Sequence, residues 1–73
     1  MNFTLKIIKS GQVVQRVQTH SKRRFYNSIR TINWRNGVEK VYLRINYGKG
    51  FYNDGDYKNR KDLLYALLVF TER

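Results

Sequence analysis

The chain has 73 residues, with 15 Lys and Arg against five Asp and Glu, and its formal net charge is +10 at pH 7. This length suits one small domain and excludes two, while the 41% apolar share and 15% aromatic share argue against a disordered polycation. With no cysteine and a single histidine, the sequence excludes disulfide frameworks and thiolate or multi-histidine metal sites, so we expect no metal and no cofactor.

The first predicted element is a β-hairpin over residues 3–19, because apolar and polar residues alternate on both sides of Gly11. A three-residue loop ending at Gly11 would pair Ile7 with Val13, so that apolar side chains share one face. A two-residue loop would bring Arg16 to the core face instead. We therefore predict the three-residue loop.

A short helix is predicted over residues 21–32, where Phe25, Ile29 and Ile32 lie on one face. A third strand is predicted over residues 40–47 from strict alternation. The Gly- and Asp-rich segment that follows predicts turns at residues 48–50 and 53–56, with an optional short strand at Phe51-Tyr52 between them.

The last predicted element is a helix from Arg60 to about Thr71, with Asn59 as its N-cap. The order is then β-β-α-β-(β)-α. We predict a single α+β domain over residues 1–73, in which two helices pack on one face of an antiparallel or mixed sheet.

Positive charge is concentrated in the first half of the chain, where residues 1–38 hold eight basic residues and no acidic one. Three of them fall in the first turn of the predicted helix, where each cation costs about 0.3–1 kcal/mol. Three successive exceptions to the preference for acidic residues in a first helical turn indicate a functional site. We predict phosphate binding by Lys22, Arg23, Arg24, Arg30 and Arg35. Trp34, at the end of this face, either stacks on bases or folds into the core.

The sheet face away from the helices is predicted to be a second basic surface. Its cations would be Lys6, Arg16, Lys40 and Arg44, with Ile8, Val14, Gln18 and Asn46 beside them and Tyr42 as a second stacking residue. An open sheet carrying cations and rings is a known way to bind single-stranded RNA. The alternative is the ordinary polar, solvated face of an antiparallel sheet.

The last helix is apolar nearly all round, because Leu64, Tyr65 and Leu68 lie outside its core stripe. These residues predict a homo-oligomer or a protein partner on this side. Alternatively, a neighbouring segment such as Phe51-Tyr52 covers them.

The main prediction is a small nucleic-acid-binding module without enzymatic activity, for which RNA is favoured over DNA and a ribonucleoprotein subunit is one setting. It would bind phosphates through one basic surface built by the hairpin and the first helix. The first alternative is a protein-interaction or oligomerisation module that acts through the last helix. The second is a small toxin-like ribonuclease using His20 or a Tyr/Arg/Lys site. The early Lys6 and the short apolar runs predict neither a secretory signal nor a membrane span, so we expect a cytoplasmic protein.

Overall fold

The computed structural model describes residues 1–72 and contains four strands and two helices. In chain order these are β1 (Asn2–Lys9), β2 (Gln12–Thr19), α1 (Lys22–Arg30), β3 (Lys40–Gly48), β4 (Phe51–Tyr57) and α2 (Arg60–Thr71). All strand pairs are antiparallel, and the strands form one sheet in the order β2-β1-β3-β4. The predicted α+β class is confirmed, and the optional fourth strand is a complete one.

The core lies between one face of the sheet and the two helices. Alternate residues of β1 and β3 supply the sheet side, and they are Phe3, Leu5, Ile7, Val41, Leu43 and Ile45. The helices contribute Phe25 and Ile29 from α1 and Leu63, Ala66 and Leu67 from α2. Burying each large apolar side chain stabilises the fold by about 1.5–3 kcal/mol. Because side chains alternate along a strand, the polar residues of β1 and β3 point to the face that the helices leave uncovered.

The β1–β2 loop has two residues rather than the predicted three. Lys9 pairs with Gln12, and the two residues between them, Ser10 and Gly11, have φ angles of 50° and 75°. Positive φ at both loop positions is the geometry of a type I′ turn, whose twist matches that of the flanking strands. The predicted loop was therefore wrong in length.

A β-bulge between Ile7 and Ile8 explains why the shorter loop does not bury Arg16. The extra residue in β2 shifts the pairing of the rest of that strand by one residue. As a result, Arg16 pairs with Lys6 and points away from the core. The predicted partner of Ile7 was also wrong, because Ile7 faces Gln15 while Val13 faces Ile8. Val13 thus takes the position that had been predicted for Val14 on the sheet face away from the helices.

Helix α1 ends at Arg30, two residues before its predicted end, with Thr31 as the C-cap. The Ser21 hydroxyl caps its start, accepting a hydrogen bond from the Arg24 backbone N–H at 3.3 Å. Ile32 is still buried although it follows the helix. The predicted core face is therefore correct even though the helix is shorter.

The predicted turn at residues 53–56 was wrong, because these residues belong to β4. β4 is an edge strand with a solvent-exposed side, and its acidic residues find partners on β3 that a turn would not offer. A Cβ added at Gly55 would lie 3.1 Å from the Tyr57 hydroxyl and 3.3 Å from its ring, so any larger residue there would require Tyr57 to shift by a few tenths of an ångström. The Asp and Gly residues that predicted a turn are therefore accommodated within this strand.

Helix α2 begins as predicted, with the Asn59 side-chain oxygen accepting from the Asp62 backbone N–H at 2.8 Å. Neither α1 nor α2, the helices of residues 1–72, has the length and apolar character needed to cross a membrane.

Candidate nucleic-acid interface

The uncovered sheet face collects every strand residue for which nucleic-acid contact was predicted. Lys6 lies between Arg16 on β2 and Tyr42 on β3, and Arg44 lies one row further along, opposite Thr4. Lys40 completes the set at the start of β3. Directly paired residues project to the same side of a sheet. We call this surface, formed by the outward residues of all four strands, the open face.

Two cations of the open face lie over tyrosine rings. The Lys6 Nζ is 5.4 Å from the centroid of the Tyr42 ring, and the Arg44 Cζ is 4.1 Å from the centroid of the Tyr52 ring. Both distances fall within the range of cation–π contacts. Tyr52 was missed as a site residue because β4 was predicted to be only a short strand, although its pairing with Asn46 puts it on the open face.

Two carboxylates lie along the β4 side of the open face. Asp54 Oδ2 accepts a hydrogen bond from the Tyr42 hydroxyl at 2.8 Å, and Asp56 forms an ion pair with Lys40 at 3.7 Å. This is the only ion pair within residues 1–72. The open face is therefore polarised, with an acidic border on β4 and a cationic region on β2, β1 and β3.

The position of Tyr42 also affects its ionisation. Partial burial raises the pKa of Tyr42, and the hydrogen bond to Asp54 and the negative charge of that carboxylate raise it further. The phenol thus stays neutral and keeps donating its proton to Asp54 across the physiological pH range. This bond holds the Asp54 carboxylate at β3 and fixes the acidic border in place.

The basic residues of α1 lie on the other side of the sheet, because α1 packs on the core face. Lys22, Arg23 and Arg24 are exposed in its first turn, which has no acidic residue. Arg30 lies in its last turn, and Arg35 is exposed in the following loop. The predicted hairpin and helix cations therefore do not form one flat surface.

The two sets of cations approach each other at one end of the sheet. The rings of Phe3 and Phe25 lie 5.1 Å apart, which holds the first turn of α1 over the end where β1 begins and β2 finishes. The β3–β4 turn is at the same end, because Asn2 pairs with Asn46. We call this region the basic end, and its cations are Lys22, Arg23, Arg24, Arg44 and Lys49.

Trp34 is half-buried and packs against the core cluster, away from the open face. Of the two roles considered for this residue, the packing role is the one for which the structure supplies contacts. Leu64 likewise packs against the core, whereas Tyr65 and Leu68 are 64% and 53% exposed. The predicted protein surface on α2 is thus reduced to its outermost side chains.

Residues 1–72 contain no group of three or more His, Asp or Glu side chains arranged to hold a metal ion. Comparisons with models of protein families, with curated proteins and with solved structures yield no significant match to this chain.

Proposed function

We propose that this protein binds single-stranded nucleic acid, with RNA favoured over DNA, across the open face and the basic end. The observation that carries the proposal is the pair of cation-covered rings, Lys6 over Tyr42 and Arg44 over Tyr52, on a sheet face that neither helix covers. Such a surface offers cations for phosphates and flat groups for bases within one short stretch of sheet.

The chemistry of the open face favours a single strand over a duplex. A base can stack on a tyrosine ring or on an arginine plane only when it is turned out from its own helix. The guanidinium of Arg44, 4.1 Å from the centroid of the Tyr52 ring, supplies such a plane. A duplex would present only its phosphates to this surface and would leave the rings unused.

The acidic border sets the path that the strand would take. Asp54 and Asp56 repel phosphates from β4, while Lys6 and Arg16 attract them to the neighbouring strands. The strand would therefore run over β2, β1 and β3 toward the basic end. There it would meet the first turn of α1, whose helix dipole adds to the positive potential.

A bound polyanion would also relieve a cost that the chain otherwise bears. A charge of +10 on 73 residues opposes compaction through self-repulsion. Permanent association with RNA, as in a ribonucleoprotein, would neutralise that charge.

Fluorescence anisotropy with labelled ten-nucleotide probes tests the proposal. We expect saturable binding to single-stranded RNA, weaker binding to single-stranded DNA of the same sequence, and the weakest binding to double-stranded RNA. Unlabelled poly-glutamate is the matched competitor, because it carries charge without bases. If poly-glutamate competes as well as unlabelled RNA at equal charge, the rings play no part and the proposal is wrong.

The charge-matched variants are K6Q/R16Q on the open face and K58Q/K61Q beside the start of α2. All four side chains are solvent-accessible, so neither double variant disturbs the core. We expect K6Q/R16Q to weaken RNA binding at least fivefold more than K58Q/K61Q, since each phosphate contact is worth about 1 kcal/mol or less at an exposed site. Equal effects would mean that binding follows net charge alone.

A second candidate function is protein binding through α2, and exposed apolar side chains favour it. Leu68 and Val69 are 53% and 45% exposed, next to Tyr65. An apolar cavity of about 290 Å³ lies beside them, between α2 and Tyr57. Sedimentation of the wild type and of L68S/V69S tests this function. A wild-type dimer that dissociates in the double variant would support it, and a monomeric wild type would rule out self-association.

A further inference from the structure

A polar cavity of about 420 Å³ opens at the basic end, where β1 begins and β2 and β3 approach it from either side. Its side chains include Asn2, Thr4, Gln18, His20, Arg44 and Asn46. The volume is in the range of small-ligand sites, which run from about 300 to 1,000 Å³. Neither α1 nor α2 contributes to its lining.

The lining offers more hydrogen-bond donors than acceptors. No Asp or Glu is among the described residues that surround the cavity. Asn46 is oriented by its own turn, because its side-chain oxygen accepts from the Gly48 backbone N–H at 2.8 Å. The Asn46 amide N–H₂ is thereby left to donate elsewhere. A donor-rich, cationic cavity selects an anionic ligand.

Arg44 supplies the strongest of these donors. Its Nε is buried and has no hydrogen-bond partner among residues 1–72. A buried N–H without a partner costs free energy, which a small shift of the side chain toward a ligand acceptor would recover. The guanidinium is already held in place on the Tyr52 ring, so little freedom is lost when it binds an anion.

We propose that this cavity holds one nucleotide of the bound strand, with its phosphate on Arg44 and its base edge on the amides of Gln18 and Asn46. The inference rests on the proposed function and assigns one nucleotide position within that interface. The next phosphate along the strand would pass His20 and reach Lys22 in the first turn of α1. The cavity thus connects the open face to the helix cations.

Two measurements test the site, and the first is a charge-preserving substitution. R44K keeps the positive charge but loses the Nε donor and the planar fork, whereas R60K makes the same change at the start of α2, outside the cavity lining and outside the proposed path of the strand. We expect R44K to weaken binding of a single-stranded RNA decamer about tenfold at an unchanged salt slope, and R60K to change it less than twofold. Equal effects of R44K and R60K would overturn the assignment.

The second measurement titrates the wild-type protein with adenosine 5′-monophosphate and, separately, with inorganic phosphate, followed by amide NMR shifts. We expect saturable shifts at Gln18, His20 and Arg44 with the nucleotide, and weaker shifts at the same positions with phosphate. Nucleotide shifts that saturate elsewhere, or none at millimolar nucleotide, would overturn the site.

The nucleotide position in the cavity and the proposed function can be refuted independently of each other. If the wild type binds the decamer while R44K and the nucleotide titration give the contrary results, only the cavity assignment is lost. If the wild type does not bind the decamer, the proposed function is lost, whichever residues the mononucleotide shifts.

Discussion

Arg44 lies over the ring of Tyr52, with its Cζ 4.1 Å from the ring centroid, and does not form an ion pair with the carboxylate of its cross-strand partner. Asp54 is the direct β4 partner of Arg44, yet its side chain accepts the Tyr42 hydroxyl instead. An arginine paired to a carboxylate would carry little net attraction for a phosphate. The ring contact and the Tyr42 hydrogen bond together keep the Arg44 charge available.

Neutralising the acidic border should strengthen nucleic-acid binding. We expect D54N to raise the affinity for a single-stranded RNA decamer about two- to fivefold, because exposed charge interactions are worth about 0.2–1 kcal/mol. The Asn side-chain oxygen can still accept from Tyr42, so the change removes charge and preserves the hydrogen bond. Fluorescence anisotropy at constant salt measures the effect.

Glu39 provides the control for this substitution. It is exposed and precedes β3 at the opposite end of the sheet from the basic end, so E39Q removes the same charge away from the proposed path. We expect E39Q to change the affinity less than twofold. An equal gain in both variants would show that only the net charge of the protein matters.

The basic residues in the first turn of α1 lower the stability of the helix, and a substitution in this turn tests that effect. R24E puts an acid at the third helical position after the Ser21 N-cap, where a capping box has its acid, while the Ser21 backbone N–H keeps its hydrogen bond to the Thr19 hydroxyl. We expect it to raise the free energy of unfolding by about 1 kcal/mol, because the cation is removed and a favourable anion is added. Urea denaturation monitored by circular dichroism measures the change.

The same substitution at the other end of the helix should act in the opposite direction. Arg30 lies in the last turn and over the Tyr26 ring, so R30E should lower the free energy of unfolding by a similar amount. R24E should also weaken RNA binding although it stabilises the protein. A destabilised R24E, or one that binds RNA as tightly as the wild type, would contradict the role given to this turn.

The helix stripes and the alternation of β1 and β3 were sufficient to predict the fold class and most of the core. The length of the hairpin loop was not predictable in the same way, because its prediction assumed that side chains alternate between the two faces of the sheet without interruption. Here the adjacent Val13 and Val14 accommodate a bulge, which reverses the parity of the rest of β2. The Asp54-Gly55 pair led to a wrong turn prediction at residues 53–56, since an edge strand tolerates residues that otherwise favour turns.

The cations of the open face were predictable because strand alternation alone assigns Lys6, Tyr42 and Arg44 to one side. The cavity was not, since it depends on which strands are neighbours and at what register. Gln18 and His20 are far from Asn46 in the chain, and only the pairing of β1 with both β2 and β3 brings them to one end. No local pattern in the sequence carries that information.

The two-residue loop of the first hairpin predicts a simple gain in stability. Ser10 holds a φ of 50°, a left-handed conformation that Asn adopts at lower cost. S10N creates the Asn-Gly pair favoured in type I′ turns and should raise the free energy of unfolding by about 0.5 kcal/mol. Thermal denaturation measures the change.

Gly11 is the counterpart in the same loop. Its φ of 75° has no clash behind it, since an added Cβ would meet nothing within 4 Å, so G11A tests backbone strain alone. We expect G11A to lower the free energy of unfolding by about 1 kcal/mol. If S10N destabilises the protein while G11A has no effect, the two-residue loop is wrong.

The raised pKa of Tyr42 predicts a loss of stability in alkali. Its value lies above the ordinary 10.0, first because of burial and then because of Asp54. The folded state therefore holds the proton more tightly than the unfolded state, and this stabilisation is present below pH 10 and lost as the pH rises through the folded pKa.

Y42F removes the phenolic hydroxyl of Tyr42, and with it the titratable proton and the hydrogen bond to Asp54. At pH 8 it should lower the free energy of unfolding by about 1 kcal/mol. Above pH 10 its stability should fall less steeply than that of the wild type, with Tyr57, whose pKa burial also raises, accounting for part of the remaining slope. Urea denaturation at pH 8 and pH 11 measures both effects, and parallel losses in the two proteins would contradict the assignment.

The salt dependence of RNA binding by the wild-type protein tests the central claim most directly. Each phosphate neutralised on a single strand contributes about −0.7 to the slope of log affinity against log salt concentration. Contacts with at least four phosphates along the open face and the basic end predict a slope of about −3 for a single-stranded RNA decamer. A slope near zero, or no saturable binding at 50 mM salt, would contradict the claim that this surface binds nucleic acid.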